Sequence, residues 1–180
     1  MCTREQYTVG WICAITTEYV AAKQILDTRN TYTFGKVGSH NVVISVLPIR
    51  EHRISSAARV AEEMIHNFPN LRIGLMVVIG GGAPRPKHDI RLGEIVVSTP
   101  HNDHGGAFQY DFGKTMRHQI FQQTGFLDQP PTVLRAAVCE LRAQYMSDGH
   151  AVDDVVSKIL EKEPRLRRDF ERPDPATDLL

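Results

Sequence analysis

The sequence predicts an α/β fold, a sheet with helices on both faces. Strand-like and helical segments alternate through the first hundred residues. The continuous apolar run Ile73–Ile79 reads as a central strand covered on both faces. At 180 residues the chain fits one domain, long enough to bury roughly 70% of its unfolded surface in one core. With 42% hydrophobic and 23% charged residues the composition is that of an ordinary globular chain.

Tyr7–Ile15 is a β-rich apolar run, followed by Thr16-Thr17-Glu18 and a helical stretch from Tyr19 to Leu26. The threonines are placed to cap that helix, and a first-turn carboxylate suits its free N–H groups. Thr31–Lys36 and Asn41–Leu47 read as two strands joined by the Gly38-Ser39-His40-Asn41 turn. Ser55–Phe68 carries apolar residues at Ala57, Ala58, Val60, Ala61, Met64, Ile65 and Phe68, a helical period that Pro69 ends. After Ile73–Ile79 come three glycines, a Pro-rich loop with Pro84 and Pro86, and a further strand at Glu94–Ser98. Ala107–Phe112 is a candidate strand among glycine-punctuated turns. Pro131 starts a helix that runs to about Ser147, and Val152–Leu160 reads as a shorter one. From Glu161 onward the chain is charged and holds Pro164, Pro173 and Pro175, which suggests a loose tail over 161–180 behind a domain spanning 1–160.

Lys+Arg 21 against Asp+Glu 21 gives no net charge, so the overall basic footprint of a nucleic-acid binder is missing. No apolar run reaches transmembrane length, and the N-terminus has no signal-peptide pattern. Cys2, Cys13 and Cys139 are too scattered for a disulfide framework or a zinc knuckle. A cytoplasmic (or nuclear) protein is expected, with no nucleic-acid partner and no membrane.

Gly80-Gly81-Gly82 after an apolar strand lets backbone N–H groups approach an anion or a sugar, or simply forms a tight turn. It is no dinucleotide fingerprint, because a strand rather than a helix follows. Gly113-Lys114-Thr115 resembles the end of a phosphate loop, but Phe108 stands where that motif needs glycine. His101-Asn102-Asp103-His104 offers two imidazoles and a carboxylate, and no further ligands complete a metal site. Arg50, His52 and Arg53 precede the Ser55-Ser56 helix start, and form either a phosphate grip or a solvated basic turn. Glu18 is either catalytic or a helix-dipole partner. Cys13, on a buried strand, reads as a core residue.

Several segments together resemble one family. Tyr7-Thr8-Val9-Gly10-Trp11-Ile12-Cys13-Ala14-Ile15 followed by Glu18 is similar to the opening of the purine and uridine phosphorylase superfamily. The version most alike is the fungal one that precedes NACHT, ankyrin or tetratricopeptide modules. The likeness continues through His40–Ile44, Leu47-Pro48, Ser55–Ala58, Gly74–Val77, Asp89–Ser98, Gln109–Thr115 and Pro130-Pro131. It implies a nucleoside phosphorylase-like three-layer α/β/α sandwich with a mixed central sheet, and cleavage of a nucleoside or nucleotide N-glycosidic bond. By resemblance, Glu18 matches the glutamate that holds the attacking water, and Gly80, Gly81 and Gly82 line the ribose and nucleophile site. A carboxylate beside the water suits an oxocarbenium-like transition state, which also needs an acid for the leaving base.

The departures from the family pattern shape the expectation. Met76 and Ile79 stand where phosphorylases place an arginine and a serine for phosphate, so hydrolysis is favoured over phosphorolysis. Val78, Arg50 and Arg53 stand where the fungal relatives carry glycine. The two arginines, with Ser55, become candidates for gripping a phosphorylated substrate. The family's later ribose-clamping and base-protonating motifs are absent, so the chain is expected to be a C-terminally truncated part of a domain. An open sheet edge with uncovered apolar surface is expected to accompany that. No cofactor and no metal are implied, with phosphate a co-substrate only in a phosphorylase. The partner is a small-molecule nucleoside or nucleotide, with a homo-oligomer compatible. A catalytically dead nucleoside-sensing or interaction module is the alternative.

Overall fold

The computed structural model describes residues 3–25, 32–48, 50, 54–82, 86, 89–91, 93–100, 105–107, 113–115, 121–123 and 128–170. The chain divides into two compact units, Met1–Ala83 and Pro84–Leu180.

In the first unit, β1 (Val9–Cys13) leads into α1 (Thr16–Gln24), followed by β2 (Thr33–Val37), β3 (His40–Val46), α2 (Ile54–Asn67) and β4 (Ile73–Met76). The sheet order is β2-β3-β1-β4. β1 runs parallel to β3 and β4, and β2 is antiparallel to β3. The sheet is therefore mixed, as the resemblance implies. Val37 pairs with His40 across Gly38 and Ser39. Gly38, at φ 58, supplies the positive φ that a two-residue hairpin turn takes at its first central position.

β1 is buried along nearly its whole length, as suits a strand with cover on both faces. On one face Tyr7, Ile12, Val43, Leu47, Met64 and Phe68 form a core under α2. On the other, Val9, Cys13, Val42 and Ile44 pack with Ala22 of α1. One helix thus covers each face, giving three layers. Full burial of a Val or Ile side chain such as Val43 or Ile44 stabilises by roughly 1.5–3 kcal/mol. The rings of Tyr7, Tyr32, Phe34 and Phe68 close the α2 side, with Tyr7 and Phe34 centroids 5.0 Å apart.

Three local expectations change here. The N-cap of α1 is Ile15, not a threonine, and no N-cap side chain serves it. Instead Glu18, three residues on, reaches back to the Ile15 amide at 3.0 Å. Among the described residues the run 73–79 is not a central strand. β4 holds four of its residues and lies at the sheet edge among the described residues. Its ladder ends where the Val77 amide donates to the Ile12 carbonyl at 3.0 Å, because β1 itself stops one residue later. Met76, Val77, Val78 and Ile79 are exposed, and among the described residues no strand pairs with the outer side of β4, in keeping with the expected open edge. Finally, residues 94–98 form no strand; Ile95, Val96 and Val97 are exposed. A short apolar run is strand-like in composition, but a strand exists only with a partner.

In the second unit, β5 (Gly113–Thr115) pairs antiparallel with β6 (Phe121–Gln123). α3 (Thr132–Asp148) starts at Pro131, as expected, and α4 (Val152–Lys162) is followed by α5 (Pro164–Phe170). Part of the segment expected to be loose is thus helical. Pro164 is its first residue, a position where the missing N–H of proline costs nothing. Most of the candidate strand 107–112 and the stretch 171–180 fall outside the described residues. No helix among the described residues is long and apolar enough to cross a membrane.

Candidate functional site

Because β1, β3 and β4 are parallel, their carboxyl ends share one edge of the sheet. The chain steps from β1 to β3 on one side and returns by α2 to β4 on the other. The strand order therefore reverses beside β1, where open α/β sheets take ligands. The first turn of α1, entered from β1, carries Glu18; the connection from β3 into α2 carries Arg50 and leads to Ser55 in the first turn of α2; and the segment after β4 carries Gly80, Gly81 and Gly82. Topology brings Glu18, Arg50, Ser55 and the three glycines to the same edge.

Glu18 is the centre of this edge. Its side chain is buried, with 9% exposed. Oε2 accepts the amides of Ala14 at 2.6 Å and Ile15 at 3.0 Å. Oε1 accepts the amide of Ile79 at 2.5 Å. One carboxylate thus ties the turn after β1 to the segment that enters the glycine turn. A carboxylate offers about four acceptor positions. Among the described residues three are taken by main-chain donors, two on Oε2 and one on Oε1, which leaves one position on Oε1.

Gly80, Gly81 and Gly82 are exposed. Neither Gly80 nor Gly81 adopts a positive φ, and a Cβ added at either would meet nothing within 4 Å. Neither backbone conformation nor packing among the described residues calls for glycine there, which leaves room for a ligand to approach the backbone. Arg50 is exposed and holds φ 70, in the left-handed region that favours glycine. Ser55, exposed, is the second residue of α2. No hydrogen bond among the described residues draws Arg50 or Ser55 to Glu18, and Arg53 lies outside them.

Cys13 is fully buried below Glu18, and its thiol is pushed up to about 11. Desolvation is the main cause and the Glu18 charge adds to it. The Trp11 indole N–H pulls weakly the other way; Nε1 is buried and reaches no acceptor at hydrogen-bonding geometry among the described residues. The thiol therefore belongs to the core, not to the chemistry.

Other motifs separate from the site. Gly113-Lys114-Thr115 is strand β5, not a phosphate loop leading into a helix. The His101-Asn102-Asp103-His104 motif lies outside the described residues, and no cluster of three metal-ligating side chains occurs among those described. The sequence did not mark the Ile79 amide as a partner of Glu18, since a backbone donor has no residue signature. The half of the bond network that joins Glu18 to Ile15 does have one, the N-cap to N3 spacing.

Known proteins offer one comparison. No family model matches the chain, and no solved structure matches it. A nucleotide-binding leucine-rich repeat (NLR)-like protein of the fungus Hyaloscypha variabilis is 44% identical over 171 residues. That alignment covers 88% of this chain and 17% of the relative. The chain is thus similar, over most of its length, to about a sixth of a fungal NLR-like protein.

Proposed function

We propose that this chain carries the nucleophile side of a site for N-glycosidic cleavage of a nucleoside or nucleotide, by hydrolysis in preference to phosphorolysis. The observation that carries the reading is the bond from Ile79 to Glu18, which sets a buried carboxylate beside the glycine turn where the strand order reverses. The free acceptor position on Glu18 Oε1 takes an O–H of water and turns its lone pair toward the anomeric carbon. As the glycosidic bond breaks, that carbon acquires oxocarbenium character and the nearby carboxylate stabilises it. Exposed Met76 and Ile79 bring no charge for inorganic phosphate, which supports water as the nucleophile. Arg50 and Ser55, on the same sheet edge, are the candidates for a substrate phosphate. The acid that protonates the leaving base is not assigned to any residue of this chain.

The test is free-base release from adenosine, inosine, uridine, AMP and ATP, with and without phosphate. The words nucleotide-binding in the relative's name justify the two nucleotide arms. Phosphate-independent release that Glu18→Ala abolishes supports the proposal, and unchanged turnover in Glu18→Ala removes Glu18 from the mechanism. A second reading, a nucleoside-sensing module without turnover, is favoured by the heavy use of Glu18 as a main-chain acceptor. Calorimetric binding of adenosine or AMP without base release distinguishes it.

A further inference from the structure

We infer that Glu18 is the positioning residue of the glycine turn: the bond from the Ile79 amide to its carboxylate sets the path of the backbone through Gly80–Gly82. The inference rests on the reading of this edge as a ligand site, but it concerns the free chain. The last ladder bond of β4 is that of Val77 to Ile12. Beyond it, the Ile79–Glu18 bond is the hydrogen bond that ties residues 78–82 among the described residues. Side-chain packing offers little, since Val78 and Ile79 are 44% and 67% exposed. Among the described residues, no atom lies within 4 Å of a Cβ built at Gly80 or Gly81. Three consecutive glycines have more conformational freedom to lose than any other tripeptide. A segment of that kind holds one path only if an anchored group fixes it. Glu18 is anchored, because Oε2 is held by two amides and its own backbone belongs to α1. Charge and length both matter. A glutamine amide has one acceptor oxygen, so it cannot serve Ala14, Ile15 and Ile79 together, and aspartate is one methylene too short.

The experiment uses amide hydrogen exchange and 15N spectra of the full chain. In the unsubstituted chain the Ile79 amide is expected to be protected, despite its exposed side chain, while the Gly81 and Gly82 amides exchange freely. Glu18→Gln should speed Ile79 exchange roughly tenfold or more and shift or broaden the Gly80, Gly81 and Gly82 peaks. Thr33→Val, which removes the 2.6 Å contact of Thr33 with the Tyr19 hydroxyl elsewhere in this unit, should lower stability without moving those peaks. Unprotected Ile79 in the unsubstituted chain overturns the inference, even if Glu18→Gln fails to fold. So do unchanged glycine peaks in a folded Glu18→Gln. Protection of Ile79 in a chain that releases no base supports the positioning role while the reaction fails. Base release with an unprotected Ile79 overturns the positioning role while the reaction stands.

Discussion

Glu18 and Ile79 are 61 residues apart in sequence, yet the carboxylate of one holds the main-chain amide of the other at 2.5 Å. The bond crosses from the first turn of α1 to the segment after β4, and with the Ala14 and Ile15 bonds it makes Glu18 a three-way junction. Removing the carboxylate leaves three donors without their acceptor. Glu18→Ala should therefore destabilise the chain by about 2–4 kcal/mol, less than three fully buried losses because water reaches the Ile79 side. Urea unfolding measures this, and a loss under about 1 kcal/mol would show that water replaces the carboxylate at little cost.

Gly10 lies in β1 directly under α2. A Cβ there would come to 2.6 Å from Met64 Sδ and 3.4 Å from Leu71 Cδ1. Met64 is 4% exposed and has little room to move. Gly10→Ala should cost about 1–3 kcal/mol through overpacking. Combining it with Met64→Ala should cost less than the sum of the two single changes, because the alanine methyl fills part of the space vacated. Additivity in the double variant would argue against the contact.

Arg50 holds a left-handed backbone at φ 70. An L side chain there costs roughly 1–2 kcal/mol, while glycine adds unfolded-state entropy of roughly 0.5–1 kcal/mol. Arg50→Gly should therefore raise stability by up to about 1 kcal/mol, and Arg50→Ala should leave it nearly unchanged. A marked loss in Arg50→Gly, read from denaturant midpoints, would mean that the guanidinium makes a stabilising contact worth more than the strain.

Burial and the Glu18 charge push the Cys13 thiol from its ordinary 9.0 to about 11. The folded chain thus binds this proton more tightly than the unfolded one. The associated stability is complete below pH 9 and is lost as pH rises from about 9 to about 11. Urea midpoints should fall more steeply across that range in the unsubstituted chain than in Cys13→Ala. At neutral pH, iodoacetamide followed by mass mapping should modify exposed Cys139 and spare Cys13.

Much of the first unit was legible in the sequence. The helix ending before Pro69, the Gly38 hairpin and the strand through Ile12 each rest on local chemistry, namely a period, a positive φ and a run of β-formers. Glu18 and the glycines were legible as a pair only through family resemblance. The run 73–79 misled because periodicity reports how apolar a segment is, not how many neighbours it has; β4 ended as an edge strand with Met76 and Ile79 exposed. The stretch 94–98 misled for the same reason. Pro164 misled in the opposite direction, since a proline breaks a helix only beyond its first turn.

The sequence by itself determined which segments form strands and helices in the first unit, and which chemical groups lie in the loops between them. Those properties are set within a few residues by backbone sterics, side-chain period and capping spacing. Only the tertiary structure decided that three loops share one edge, that β4 closes the sheet on that side among the described residues, and that Glu18 serves Ile79. Each of these depends on parallel pairing between distant strands, and a main-chain donor carries no mark in the sequence to announce the side chain it will meet.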